Sequence, residues 1–166
     1  MRNKILKLWL LFSLLVIFTR SYSQTPIEIN NTLAGYTDSL YKLGGEWGTK
    51  YNDLKTTKKF GELLPYRMRM KNFVDQAITE ILKMKDVKGS KDLQDATLKF
   101  LYFEKHMIST TFLPIEKLSE NATDKEIKDA FDKITTASLQ EDEKIKDISK
   151  AQLAYAEKNG FKIGGQ

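Results

Sequence analysis

The apolar residues of this chain recur three and four positions apart, and this spacing constrains the fold more than any other feature. It lines one face of an α-helix and does not match the period of two that a β-strand requires. The first of four such segments advances by 4, 3, 4, 3, 4, 4 and 3 residues. Its apolar residues are Ile29, Leu33, Tyr36, Leu40, Leu43, Trp47, Tyr51 and Leu54. The chain is therefore expected to fold from amphipathic helices.

Two further segments follow, and turn residues separate them. The second has its apolar face between residues 63 and 84, and Gly61 is the predicted turn before it. The third begins after Gly89, which predicts a helix stop, and Ser90, which predicts an N-cap. Because Pro114 cannot continue a regular helix, we expect a kink or a separate final turn there.

The fourth segment carries the clearest local signals. Thr123 and Glu126 form a T-x-x-E capping box, in which each side chain satisfies an otherwise unpaired backbone N–H. Gly160 is expected in the left-handed conformation that ends a helix, with Phe161 folded back onto it. Between these signals we expect one unbroken helix of about 55 Å. The alternative is a break at Ser138, which begins a second capping box.

Four helices with short connections predict an all-α fold, an antiparallel up-down-up-down four-helix bundle. We assign the bundle to residues 24–160 and a C-terminal tail to residues 161–166. Residues 1–23 have the organisation of a secretory signal peptide, because basic residues precede an apolar run of 11 residues and small residues follow it. Cleavage is predicted before Gln24.

The signal peptide determines the expected location and charge. A spanning helix needs about 20 apolar residues, so we expect cleavage, not a retained anchor, and no transmembrane segment afterwards. The destination is the periplasm, the cell surface or the medium. Four of the 27 Lys and Arg, and none of the 22 Asp and Glu, lie in residues 1–23, so the mature chain has 23 bases and a net charge of +1. This balance does not support nucleic-acid binding.

The residues of common catalytic and metal sites are missing from the sequence. The chain has no cysteine, which excludes thiol chemistry and disulfides. Its only histidine, His106, cannot build a di-iron or zinc site alone. Haem ligation by His106 and a methionine is the sharpest cofactor alternative, but this histidine lies one position off the apolar stripe and is interpreted as a flanking or surface residue. We therefore predict a non-enzymatic protein without a cofactor or metal.

A basic hairpin tip is the first candidate interaction site. Residues 50–71 contain seven bases and two acids. Such a tip can contact an anionic envelope surface or an acidic protein partner. The alternative is an ordinary solvated face whose ion pairs contribute little. The candidate residues are Lys55, Lys58, Lys59, Tyr66, Arg67 and Arg69.

The stretch GGEWG is the second candidate site. Because the apolar spacing keeps its phase across this stretch, the helix is expected to run through it. Gly44 and Gly48 lie four residues apart and would leave the backbone bare, at a cost of about 0.8–1 kcal/mol each. We expect a neighbouring helix to pack closely there with Trp47 buried, and Gly44→Leu to overpack by about 1–3 kcal/mol. A ligand pocket at the same residues is the alternative.

Several stretches together look like one family of proteins. They are the signal peptide, the four-helix plan, and SKDLQDATLKFLYFEK, LPIEKLSENATDKEIKDAF and AQLAYAEKNGFKI. They resemble exported or surface-associated proteins of Gram-negative bacteria whose function is not established. The resemblance covers most of the mature chain and implies an envelope or extracellular helical bundle.

The leading functional hypothesis is a bundle that acts by contact, as an envelope, surface or protein-interaction module. A monomer or weak oligomer is expected. The alternative is a carrier that holds a small apolar or anionic ligand between its helices. The high density of aromatic residues supports this alternative, because ligand pockets are commonly lined by aromatic rings.

Overall fold

The structure is a computed structural model that describes residues 24–164. Within this range the chain forms four long helices and no strand, which confirms the all-α class. The predicted signal peptide and the last two residues of the tail lie outside the described residues. No helix between residues 24 and 164 has the length and apolar character needed to span a bilayer. The four helices are α1 (Pro26–Leu54), α2 (Leu64–Lys83), α3 (Lys91–Met107) and α4 (Asp124–Asn159).

The connection between α1 and α2 begins before the predicted turn residue. Lys58 has a positive φ of 55°, and a 3₁₀ turn from Phe60 to Leu63 then leads into α2. Gly61 lies inside this 3₁₀ turn, directly before α2 as predicted, but α1 already ends at Leu54 and the positive φ belongs to Lys58. The lysine is held there by its own side chain, because its Nζ donates to the carbonyl oxygen of Ala122 at 2.8 Å.

The connection from α2 to α3 also differs from its prediction. α2 already ends at Lys83, so Gly89, with a φ of 82°, turns the chain into α3 and does not stop α2. Ser90 occupies the N-cap position but makes no capping hydrogen bond. Its hydroxyl instead accepts from the backbone N–H of Val87 at 2.9 Å and from Nε2 of Gln94 at 2.8 Å. The serine therefore fastens the loop to the helix.

The interruption predicted at Pro114 is confirmed in the form of a separate turn. A π-helical segment from Ile108 to Phe112 follows α3, and a single α-helical turn from Leu113 to Glu116 follows the π-helical segment. Proline lacks the N–H that would continue the ladder of hydrogen bonds. The wider π turn accommodates this loss directly before the proline.

α4 has the capped and unbroken form that its signals indicated. The Thr123 hydroxyl accepts from the Glu126 N–H at 3.2 Å, and the Glu126 carboxylate accepts from the Thr123 N–H at 2.7 Å. The capping box is therefore confirmed. The helix continues through Ser138 without a break. Gly160 has a φ of 70°, and the Phe161 ring packs back against the helix.

Thr123→Ala is expected to lower the free energy of unfolding by about 1 kcal/mol, because it removes the oxygen that caps the first turn of α4. Urea denaturation followed by circular dichroism measures this loss. Thr135→Ala is the matched control, since Thr135 is exposed within the same helix and alanine has the higher helix propensity. Equal losses for the two variants would contradict the capping role.

The core lies between the helices and is thinnest under the middle of α4. The apolar residues of α4 between Phe131 and Ala137 are only half-buried, whereas Ile148 and Tyr155 near its end are buried. The other helices and their connections supply most of the completely enclosed side chains. These include Ile29, Leu33, Phe60, Leu63, Met70, Ile81, Leu93, Leu101, Ile108 and Ile115.

Candidate functional site

Three glycines of α1 face open space. The helix runs through GGEWG without a positive φ, as the apolar spacing predicted. A Cβ atom added to Gly44, Gly45 or Gly48 would meet no neighbouring atom within 4 Å. The expected close approach of a helix at Gly44 and Gly48 is therefore wrong, and Gly44→Leu is not expected to overpack the core. Trp47 is buried as predicted, with 3% of its surface exposed.

A cavity of about 370 Å³ lies beside these glycines. Its volume is within the range of about 300–1,000 Å³ that small-molecule sites occupy, and it equals roughly twelve water molecules in the liquid. Residues from α1, α2, α3, the π-helical segment and α4 line it. The apolar part of its wall consists of Leu40, Met70, Met107, Phe112, Phe131 and Ile134.

Two buried polar atoms in the cavity wall have no hydrogen-bond partner within the described part of the chain. They are Nε1 of Trp47 and Oε1 of Glu104. Each of the two residues is only 3% exposed. An unpaired buried donor or acceptor costs about 1–3 kcal/mol and is uncommon in folded proteins. Both atoms have almost no accessible surface, so a molecule in the cavity would pair with them only after a small shift of the wall side chains.

The cavity is acidic as well as apolar. Burial is the main cause that raises the pKa of Glu104 to about 8, and the nearby Glu141 raises it further. Glu141 faces the cavity from α4, and its pKa is also raised, first by burial and then by Asp142. Tyr41 and Ser138 complete the polar lining. The described residues that line the cavity include no Lys, Arg or His.

Aromatic neighbours fix the indole of Trp47. The Phe112 ring meets it edge to face with centroids 4.6 Å apart, and the Tyr51 ring stacks on it at 5.5 Å. Phe131 of α4 stacks on Tyr51 at 4.9 Å. Phe112 is the last residue of the π-helical segment, so the wider turn sets the position of this ring. Such segments are frequent at functional sites.

Glu104 was not predicted as a site residue, although its spacing could have indicated it. Leu93, Thr97, Phe100, Glu104 and Met107 advance by 4, 3, 4 and 3 residues, so the carboxyl lies in phase with the core. All five side chains are buried. A carboxyl in this phase is seldom fully buried unless it is paired. The signal was therefore an acidic residue within an apolar stripe.

The predicted basic tip is largely neutralised by the protein itself. Arg67 is 8% exposed, and its guanidinium donates to Glu116 from Nε at 2.5 Å and from Nη2 at 3.1 Å. Arg67 therefore cannot contact a partner, and its assignment to an interaction surface is wrong. Arg69 pairs with Glu46 at 2.6 Å, and its guanidinium lies 5.0 Å from the centre of the Tyr66 ring.

Of the three lysines of the tip, Lys58 is paired within the protein and the other two are exposed. Nζ of Lys58 lies 3.1 Å from a carboxylate oxygen of Asp124. Lys55 and Lys59 are exposed, and Nζ of Lys55 lies 5.2 Å from the centre of the Tyr51 ring. Two exposed lysines form a much weaker attraction for an anionic surface than the six-residue tip that the sequence suggested.

His106 is exposed, as expected for a flanking or surface histidine. Within residues 24–164 no three His, Asp or Glu side chains lie close enough together to hold a metal ion.

Comparison of the chain with protein-family models, with curated proteins and with solved structures gives no match. The resemblance to exported bundle proteins therefore stays a prediction.

Proposed function

We propose that this protein is a non-enzymatic helical bundle that binds a small, largely apolar ligand in the cavity beside Gly44 and Gly48. The observation that carries the proposal is that two buried polar atoms without partners, on Trp47 and Glu104, line the same glycine-walled cavity. A ligand would satisfy both atoms after a small shift of the side chains that cover them. It would also fill the space that the glycines leave open, which no side chain of the described chain fills.

The proposal includes an antiparallel up-down-up-down order of the helices. Two hydrogen bonds support it. Tyr36, in the first half of α1, donates to Glu80 near the end of α2 at 2.6 Å. Tyr155, near the end of α4, donates to the carbonyl of Val87 just before α3 at 2.8 Å. Residues from all four helices line the cavity, and bundles commonly build their ligand sites from facing helices.

Ligand binding is preferred to action by surface contact because the arginines of the basic tip are already paired. Arg67 and Arg69 bind carboxylates of the same chain. Contact with a protein partner or an anionic surface stays a prediction that rests on Lys55 and Lys59. With the predicted signal peptide, the proposed role is that of an exported carrier.

Gly44→Leu is expected to weaken the binding of a neutral apolar dye. N-phenyl-1-naphthylamine is a suitable probe, since its fluorescence rises in apolar surroundings. The leucine side chain would extend into the cavity, so we expect dye affinity to fall at least about tenfold, equivalent to about 1.4 kcal/mol. The thermal unfolding midpoint should not fall, because leucine is the better helix former.

Gly35→Leu is the matched control. Gly35 lies in the same helix and also faces open space, but it does not line the cavity. This variant should bind the dye as the unmodified protein does. Equal binding of the dye by the unmodified protein and Gly44→Leu would overturn the proposal, and so would failure of the unmodified protein to bind any compound of this size, charged or neutral. Native mass spectrometry of protein purified from its own host would then show whether a natural ligand is retained.

A further inference from the structure

We infer that the cavity selects a small organic cation, a molecule with an apolar body and one protonated amine, and that Glu104 and Glu141 bind the amine. The inference rests on the proposed function and names the ligand class of the same site. It replaces the earlier alternative of an anionic ligand.

The charges of the lining residues are the first evidence that the ligand is a cation. Glu104 and Glu141 line the cavity, and none of its lining residues within residues 24–164 is basic. An anionic ligand would lie against these two carboxyl groups, whose ionised forms would repel it. An ammonium group instead offers three N–H donors and a compensating charge. Such charge-assisted hydrogen bonds are stronger than neutral ones.

The aromatic rings of the cavity wall are the second evidence that the ligand is a cation. Trp47, Phe112 and Phe131 line the same cavity, and aromatic rings attract a cation. The apolar remainder of the ligand would fill the space beside the three glycines. The Nε1–H of Trp47 is a donor and cannot bind an ammonium group, so the natural ligand is expected to carry an oxygen acceptor as well.

We expect Glu104 to release its proton when the cation binds. The pKa of Glu104 is raised to about 8 by burial, so most of the empty protein holds this proton at pH 7. A bound cation favours the carboxylate, and affinity should increase with pH up to about 8. The other titratable groups that line the cavity are Glu141 on α4 and Tyr41 on α1. The lining residue from α2 is Met70, and Asp142 lies next to Glu141.

Three compounds of nearly equal size test the inference. They are 1-naphthylmethylamine, which is a cation, 1-naphthylmethanol, which is neutral, and 1-naphthoate, which is an anion. Isothermal titration calorimetry at pH 8 should give the amine at least about tenfold higher affinity than the alcohol, and the carboxylate the lowest. Affinity for the amine should rise more than about tenfold between pH 6 and pH 8.

Glu104→Gln should reduce the preference for the amine to within about twofold and flatten its dependence on pH, because the amide does not titrate. Glu143→Gln is the matched control, since Glu143 is exposed on α4 and does not line the cavity. If the alcohol or the carboxylate binds as well as the amine while the neutral dye also binds, the inference is overturned and the proposed function stands. If neither the dye nor any of the three compounds binds, both are overturned.

Discussion

Glu116→Ala is expected to lower the free energy of unfolding by about 3–5 kcal/mol. This is a large fraction of the 5–15 kcal/mol, roughly, that stabilises an ordinary domain. The physical reason is the guanidinium of Arg67, which is buried and donates twice to this carboxylate. Without Glu116 the guanidinium would stay buried as an uncompensated charge. Urea denaturation followed by circular dichroism measures the loss.

Two comparisons make the Glu116 experiment decisive. The double variant Arg67→Met with Glu116→Leu removes both charges and should recover most of the stability, because buried ion pairs can be replaced by apolar residues of similar volume. Glu62→Ala breaks the exposed pair with Lys50 and should cost less than about 1 kcal/mol. If Glu116→Ala cost no more than Glu62→Ala, the pair could not be desolvated as described.

Glu104→Gln is expected to stabilise the protein by about 4 kcal/mol at pH 8 and by about 1 kcal/mol at pH 5. Burial raises the pKa of Glu104 from 4.5 to about 8 in the folded protein. The unfolded chain therefore loses this proton first as the pH rises. Its ionisation lowers the free energy of unfolding progressively between about pH 4.5 and pH 8, and below pH 4.5 the contribution of this group is fully restored.

Measuring the unfolding free energy of both proteins at pH 5 and pH 8 gives the Glu104 effect directly. The difference between glutamine and glutamate should grow by about 3 kcal/mol across this range. Glu143→Gln is again the control, because Glu143 is exposed and should show no comparable trend. A constant difference between glutamine and glutamate at position 104 would mean that this carboxyl ionises as it does in water. A carboxyl kept at such a cost is expected where it serves binding.

The elements predicted correctly depend on contacts between residues close in the chain. The continuous α1 follows from its apolar spacing, and the start of α4 follows from the Thr123–Glu126 capping box. The same motif at Thr25 and Glu28 was overlooked, although the structure forms both of its hydrogen bonds. Capping boxes can be found from the sequence because both partners lie within one turn of helix.

The features that the sequence could not provide depend on residues far apart in the chain. Arg67 has the sequence context of a surface base, because its partner Glu116 lies 49 residues later in the chain. Gly44 and Gly48 could equally well have met a helix or a cavity. The distance from these glycines to the half-buried middle of α4 decides between the two, and no local pattern encodes that distance.

Trp47 gives the protein an internal optical reporter. Of the two tryptophans in the sequence, Trp9 lies in the predicted signal peptide, so the mature chain would emit indole fluorescence from the cavity wall alone. We expect its quantum yield and emission wavelength to change with what fills the cavity and with the protonation of Glu104, which lines the same cavity. Occupancy can thus be followed without a label, and the signal comes from the site itself.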